Sequence, residues 1–191
     1  MARKIQLNSA YGAIGNQYFR YYNLRNAEAI TYGGQFSIRW IENKMNEYLN
    51  RVLKTKGEDY VIASDTDSIY LNMGPLVETV YKGREKTDES VVGFLNKVSE
   101  MELEPYIQSS YEELAEYVSA YDQKMIMKRE NIASSGIWTA KKRYMLNVWD
   151  SEGVRYNKPK LKMMGIEAVK SSTPAPCLSL IHISEPTRPY S

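Results

Sequence analysis

The chain has 191 residues, of which 43% are hydrophobic and 25% charged, and a net charge of +2; it is long enough for one domain of ordinary size and reads as a soluble, globular protein. A single cysteine (Cys177) and a single histidine (His182) exclude an internal disulfide, a structural zinc site and most histidine-based catalysis, so chemistry falls to carboxylates, Lys, Tyr or metals. No apolar run approaches the roughly 20 residues of a membrane span, and Met1-Ala2-Arg3-Lys4 leads into no signal segment, so no membrane contact and a cytoplasmic place are expected.

Residues 3–14 predict a helix broken near Gly12 and Gly15. At helical spacing Lys4, Asn8 and Tyr11 fall within an arc of about 60°. A cation and an amide on that face can hold a triphosphate, a phenol can lie against a base pair, and Gly12 permits close approach. An ordinary polar helix face has the same pattern. Residues 24–54 predict a longer helix, with Ile30, Phe36, Trp40, Ile41, Met45, Tyr48 and Leu49 recurring on one side. Gly33-Gly34 marks a point where it can bend, and Lys54-Thr55-Lys56-Gly57 closes it.

Residues 59–64 and 68–73 are rich in Val, Ile and Tyr and flank Asp65-Thr66-Asp67, the pattern of a β-hairpin. Residues two apart in an extended chain share a face at about 7 Å. Asp65 and Asp67 can therefore converge on Mg²⁺, which keeps waters and substrate phosphates as its other ligands. Two such ions can clamp the attacking and leaving oxygens of phosphoryl transfer. An acidic β-turn without function is the plain alternative.

Thr87-Asp88-Glu89 predicts a helix start, and Ile107, Leu114, Val118 and Tyr121 continue an amphipathic pattern after Pro105. Residues 124–170 predict several strands. Charge divides between these regions. Glu85–Gln123 holds ten acids against two bases, whereas Lys124–Lys170 holds eleven bases against four acids. A basic block of that size suits a phosphate backbone, and equally a solvated surface. Within it, alternation along a strand would send Lys142 and Tyr144 to one face and Lys141 and Arg143 to the other. Bases beside aromatics suit nucleic acid; a basic edge strand is the alternative. The order of elements argues an α+β fold with an antiparallel sheet.

In this order the three motifs resemble those of the family B DNA polymerases: Lys-x-x-x-Asn-Ser-x-Tyr-Gly at Lys4–Gly12, Asp-Thr-Asp-Ser at Asp65–Ser68 and Lys-Lys-Arg-Tyr at Lys141–Tyr144. Phe19–Asn26, Trp40–Leu49, Met164–Glu167 and Ser171–Pro174 are similar to the tailed-phage replicative branch. The resemblance implies an incomplete polymerase domain: residues 1–20 as the end of the fingers helix and the turn into the palm, and 21–174 as a partial palm with helices packed on an antiparallel sheet. It implies that Asp67 ligates both metals, with Asp65 in a lesser role near the primer terminus. By the same resemblance Lys4 and Asn8 contact the phosphates of the incoming nucleotide. Tyr11 packs on the nascent base pair, and Lys141, Lys142, Arg143 and Tyr144 grip the duplex. Primer–template DNA and dNTP are the implied partners, with a sliding clamp and replisome proteins for the complete enzyme. The upstream motif carrying the other essential metal-binding Asp, the exonuclease domain and the basic half of the fingers have no counterpart in the sequence, so the isolated chain is expected to be inactive.

Two further readings stand beside this one. A hydrophobic strand followed by Asp-x-Asp also begins haloacid-dehalogenase-like phosphatases, with Asp65 as nucleophile and Asp67 as acid; that fold needs a parallel strand after a helix crossover. A non-catalytic DNA-binding remnant is the third. Residues 175–191 are expected to be non-native: Leu178–Arg188 reads, codon for codon, like a translation of a transposase adapter used in sequencing libraries, which would make His182 an artefact.

Overall fold

The computed structural model describes residues 2–83, 85–167 and 174, with the side chains of residues 2–4, 7 and 8 excepted. In chain order it contains α1 (Ala2–Ile14), α2 (Leu24–Leu53), β1 (Val61–Asp65), β2 (Ser68–Leu71), α3 (Gly74–Val80), α4 (Asp88–Val98), a π-helical turn (Ser99–Leu103), α5 (Glu104–Tyr117), β3 (Asn131–Ala140), β4 (Arg143–Ser151) and β5 (Val154–Met164). Both sheets are antiparallel, one of order β1-β2 and one of order β3-β4-β5. The α+β expectation holds. The non-native tail expected at 175–191, with Cys177 and His182, lies outside the described residues.

Two compact units can be separated. The first takes the residues up to Lys86 together with Met101–Met127; the second takes Thr87–Glu100 and the residues from Lys128 on.

The first unit is built on α2. Asn23 caps it, its side chain accepting from Asn26 N at 3.1 Å, which satisfies one of the unpaired amides at a helix start. Ile41, Met45 and Leu49 lie one helical turn apart and are 1% exposed or less. Their stripe packs on α5, whose Ile107, Tyr111 and Leu114 are also buried. Burial of each large aliphatic side chain stabilises by about 1.5–3 kcal/mol. That outweighs the roughly 1 kcal/mol that each interior glycine costs, so α2 runs unbroken through Gly33-Gly34. Trp40 Nε1 donates to Ser110 O at 2.9 Å, and Lys44 Nζ donates to Glu113 at 2.8 Å. This hydrogen bond with Glu113 holds the Lys44 ammonium pKa above its ordinary value. Ile30 and Phe36, placed by periodicity on the buried side, are exposed. The α5 helix starts with Pro105 in its first turn and ends at Tyr117, so Val118 and Tyr121 do not continue it.

In the second unit β4 is central, and Tyr144, Leu146, Val148 and Asp150 alternate as its buried positions. A carboxylate at such a position requires a partner. Arg129 supplies it by an ion pair with Asp150, and also donates to Asn96 of α4. Thr87 caps α4, accepting from Ser90 N at 3.3 Å, with Asp88 and Glu89 in the first turn as the sequence predicts. The β4–β5 turn places Glu152 and Gly153 at φ 51° and 86°, the double positive pattern of the hairpin turns that match strand twist. Residues 124–130, expected within a strand-rich stretch, form no strand.

Candidate functional site

Asp65 and Asp67 lie at the tip of the β1–β2 hairpin. Asp65 is the last residue of β1 and pairs with Ser68, leaving Thr66-Asp67 as a two-residue turn. The turn is tight: Asp67 N donates to Asp65 O at 2.6 Å, and Thr66 stands at φ 51°. A β-branched residue in that region is a strained conformation of the kind that gathers at functional sites. Asp67 therefore occupies the turn itself, and strand alternation does not relate it to Asp65; the turn brings the two together instead. Asp65 is half-buried and accepts from Thr66 Oγ1 at 3.1 Å, whereas Asp67 is exposed.

The hairpin takes its place from two amides of α2. Asn46 Oδ1 accepts from Tyr60 N at 2.8 Å while its Nδ2 donates to Asp59 at 2.9 Å. One turn on, Asn50 Nδ2 donates to Glu58 O at 2.7 Å and Oδ1 accepts from Glu58 N at 3.1 Å. Tyr60 is buried, and Asp59 in turn accepts from Val61 N at 3.0 Å. The stretch before β1 is thus fixed by side chains from a rigid helix, which holds the carboxylates in place. Sequence periodicity does not reveal Asn46 and Asn50, because both look like ordinary polar helix positions.

As oxygen donors the two carboxylates suit a hard divalent cation. They do not complete a cage: among the described residues no cluster of three or more His, Cys, Asp or Glu could hold a metal ion. The antiparallel return of β2 directly after Asp67 also removes the parallel-strand geometry that the phosphatase reading requires.

Lys4, Asn8, Tyr11 and Gly12 all lie on α1. The side chains of Lys4 and Asn8 fall outside the described part. Tyr11 Oη shares a hydrogen bond with Thr31 Oγ1 of α2 at 2.7 Å, and Thr31 Oγ1 donates to Ala27 O at 3.0 Å. The ring, about half exposed, is held at one end by a relay that reaches the α2 backbone. Tyr11, Gly12, Ala27, Glu28 and Thr31 are among the residues lining a cleft of about 460 Å³. A Cβ on Gly12 would meet nothing within 4 Å outside its chain neighbours, so the surface at this position is open. Thr31, twenty residues away in sequence, carries no local signal of this role.

The basic motif lies on the β3–β4 hairpin. Lys141 and Lys142 form its turn, between paired Ala140 and Arg143, and Lys142 has φ 61°. The expected alternation therefore does not apply to the two lysines; both are exposed at a tip. Arg143 forms an ion pair with Glu167. Tyr144 is 7% exposed and lies against Trp138, the ring centroids 6.4 Å apart, so it is a packing residue of the sheet. Elsewhere in this unit Lys162 Nζ donates to Glu130 at 2.8 Å. That hydrogen bond holds the Glu130 carboxyl below its ordinary pKa, against the opposing effect of its partial burial.

The chain is 48% identical over 180 residues to a DNA-directed DNA polymerase of Escherichia phage RB69. It is 47% identical over 180 residues to a DNA-directed DNA polymerase of Enterobacteria phage T4. Each match covers 90% of this chain and 20% of the relative, so the chain spans about a fifth of the length of the curated relatives it matches. No family model matches the chain.

Proposed function

We propose that this chain, nearly half identical over nine-tenths of its length to two phage DNA-directed DNA polymerases, is a segment of a tailed-phage family B DNA polymerase, running from the end of the fingers (residues 1–20) through a partial palm (21–174). In the complete enzyme it serves template-directed addition of dNTPs to a primer 3′-hydroxyl, with pyrophosphate leaving. The observation that carries the reading is the Asp65–Asp67 turn: two carboxylates on a strained tip, held by α2 amides, within a chain nearly half identical to phage polymerases.

In this reading Asp67 would hold the metal pair jointly with a carboxylate from another part of the complete enzyme, with Asp65 in support. Magnesium ions, when bound, supply charge neutralisation for the attacking and leaving oxygens. Lys4 and Asn8 hold the triphosphate. Tyr11, fixed by Thr31, lies beside the nascent base pair, where minor-groove acceptors are nearly alike for all pairs and only pair geometry is tested. The exposed Lys141-Lys142 turn of the basic hairpin contacts the duplex backbone, and the complete enzyme works in the host cytoplasm with clamp and replisome proteins.

The test is a graft. Residues 2–174 replace the matching segment of a phage polymerase, and primer extension is measured with Mg²⁺. Extension by the graft supports the reading, and the 191-residue chain alone should extend nothing, because two carboxylates on one turn do not hold two ions. A graft that folds and binds primer–template without extending it would favour the non-catalytic, DNA-binding alternative. Extension by the chain alone would contradict the proposal that it is a part.

A further inference from the structure

The basic hairpin shows an uneven fate for its three cations. Lys141 and Lys142 stand exposed in the turn, whereas the Arg143 guanidinium is engaged by Glu167. Arg143 Nε is shut off from solvent and has no hydrogen-bond partner among the described residues, although the side chain as a whole is 43% exposed. Two residues before Glu167, Gly165 lies against the same turn at φ 66°. A Cβ there would meet Lys142 O at 2.1 Å and Arg143 Cγ at 3.2 Å. The first distance is far inside van der Waals contact and the obstacle is backbone, which cannot swing away. The end of β5 and the residues after it therefore touch the turn twice, by close backbone approach at Gly165 and by an ion pair at Glu167.

Resting on the duplex-binding reading above, we propose that Arg143 is a positioning residue and not a DNA contact. Tied to Glu167, and with Gly165 seated against the Lys142 carbonyl, it fixes the Lys141–Lys142 turn with Lys142 in its left-handed conformation, so that the two lysines carry the phosphate contacts. A lysine pair on a loose hairpin tip would lose conformational freedom on binding; a braced one has already lost it.

The salt dependence of DNA binding separates a phosphate contact from a brace. Each phosphate neutralised contributes about 0.9 to the slope of log K against log salt, and a residue that only positions others contributes nothing to it. Anisotropy titrations of a labelled mixed-sequence duplex with the 191-residue chain, between about 50 and 200 mM salt, give that slope. Lys141→Gln and Lys142→Gln should each flatten it by about 0.9. Arg143→Gln and Glu167→Gln should each weaken binding by about two- to fivefold at every salt concentration, the range of an exposed ion pair, with no change of slope. The double variant should lose no more than either single one. Should the single variants fold poorly, the exchanged pair Arg143→Glu with Glu167→Arg restores the brace and should restore affinity.

If instead Arg143→Gln flattens the slope like the lysine variants and Glu167→Gln steepens it, Arg143 is a phosphate contact that Glu167 competes for. The brace is then overturned while duplex binding stands. A further loss of affinity in the exchanged pair would overturn it in the same way. If no variant changes the slope, or no salt-dependent binding occurs, the duplex-binding reading fails and the brace with it.

Discussion

The two candidate hairpins are built alike at the tip and unlike beneath it. Each turns in two residues, Thr66-Asp67 or Lys141-Lys142, and each forces a non-glycine residue to positive φ, Thr66 at 51° and Lys142 at 61°. The acidic hairpin stands on strands of five and four residues in a two-stranded sheet, too small for independent stability. It relies on Asn46 and Asn50 of α2. The basic hairpin stands on strands of ten and nine residues with β5 as a third, and the segment after β5 braces its tip. The acidic tip is thus held from outside its sheet, and the basic tip from within it.

Breaking the internal support should have the largest effect. Asp150→Ala breaks the ion pair between the buried Asp150 and Arg129, whose side chain is only 12% exposed, and should destabilise the second unit by about 3–5 kcal/mol. Chemical denaturation, read through amide signals of β3–β5, measures the loss. Next comes the external support. Asn46→Ala removes the bonds to Tyr60 N and Asp59 and should cost about 1–3 kcal/mol. Faster hydrogen exchange should follow in β1 and β2 while the β3–β4 amides keep their protection. Equal loosening of both hairpins would mean that the two supports are not separate.

Thr66→Gly should relieve the turn and stabilise the acidic hairpin by about 1 kcal/mol, since glycine accepts positive φ without the Cβ clash. A stabilised hairpin with weaker metal-dependent activity in the graft would show that strain at the tip serves function. The smallest effect concerns pH. Glu130 is held below its ordinary value of 4.5 by Lys162. Its contribution is therefore fully present above that value and is lost as pH falls through the lowered one. With the Glu130 side chain 56% exposed, screening limits the contribution to about 0.5 kcal/mol or less. Acid titration of stability in Lys162→Gln should lack that component.

The parts of this architecture that are local were legible in the sequence. The Asp65–Asp67 tip, the Thr87 cap and the Ile41–Met45–Leu49 stripe each follow from a short-range rule: turn composition, side-chain capping or helical period. Other features were not. The π-helical turn Ser99–Leu103 and the short helix Gly74–Val80 leave no distinct period in so few residues. Lys141-Lys142 reads as strand by alternation, yet it forms a turn, because nothing in its composition announces positive φ; Gly165, 23 positions later, makes room for that turn. Thr31 for Tyr11 and Glu167 for Arg143 are partners across twenty and twenty-four positions. Such pairs depend on packing, which one sequence does not display. The same limit explains why Tyr144, expected among the residues that grip the duplex, is buried in the sheet.

The most direct test measures chemistry and grip side by side in the grafted polymerase. Asp67→Ala should abolish primer extension, leaving duplex affinity and its salt slope unchanged. The pair Lys141→Gln with Lys142→Gln should do the reverse at saturating DNA, keeping extension while flattening the slope by about 1.8, two contacts at about 0.9 each. Extension that survives Asp67→Ala would contradict the account at its centre, because the acidic turn would then not be where the metal ions are held.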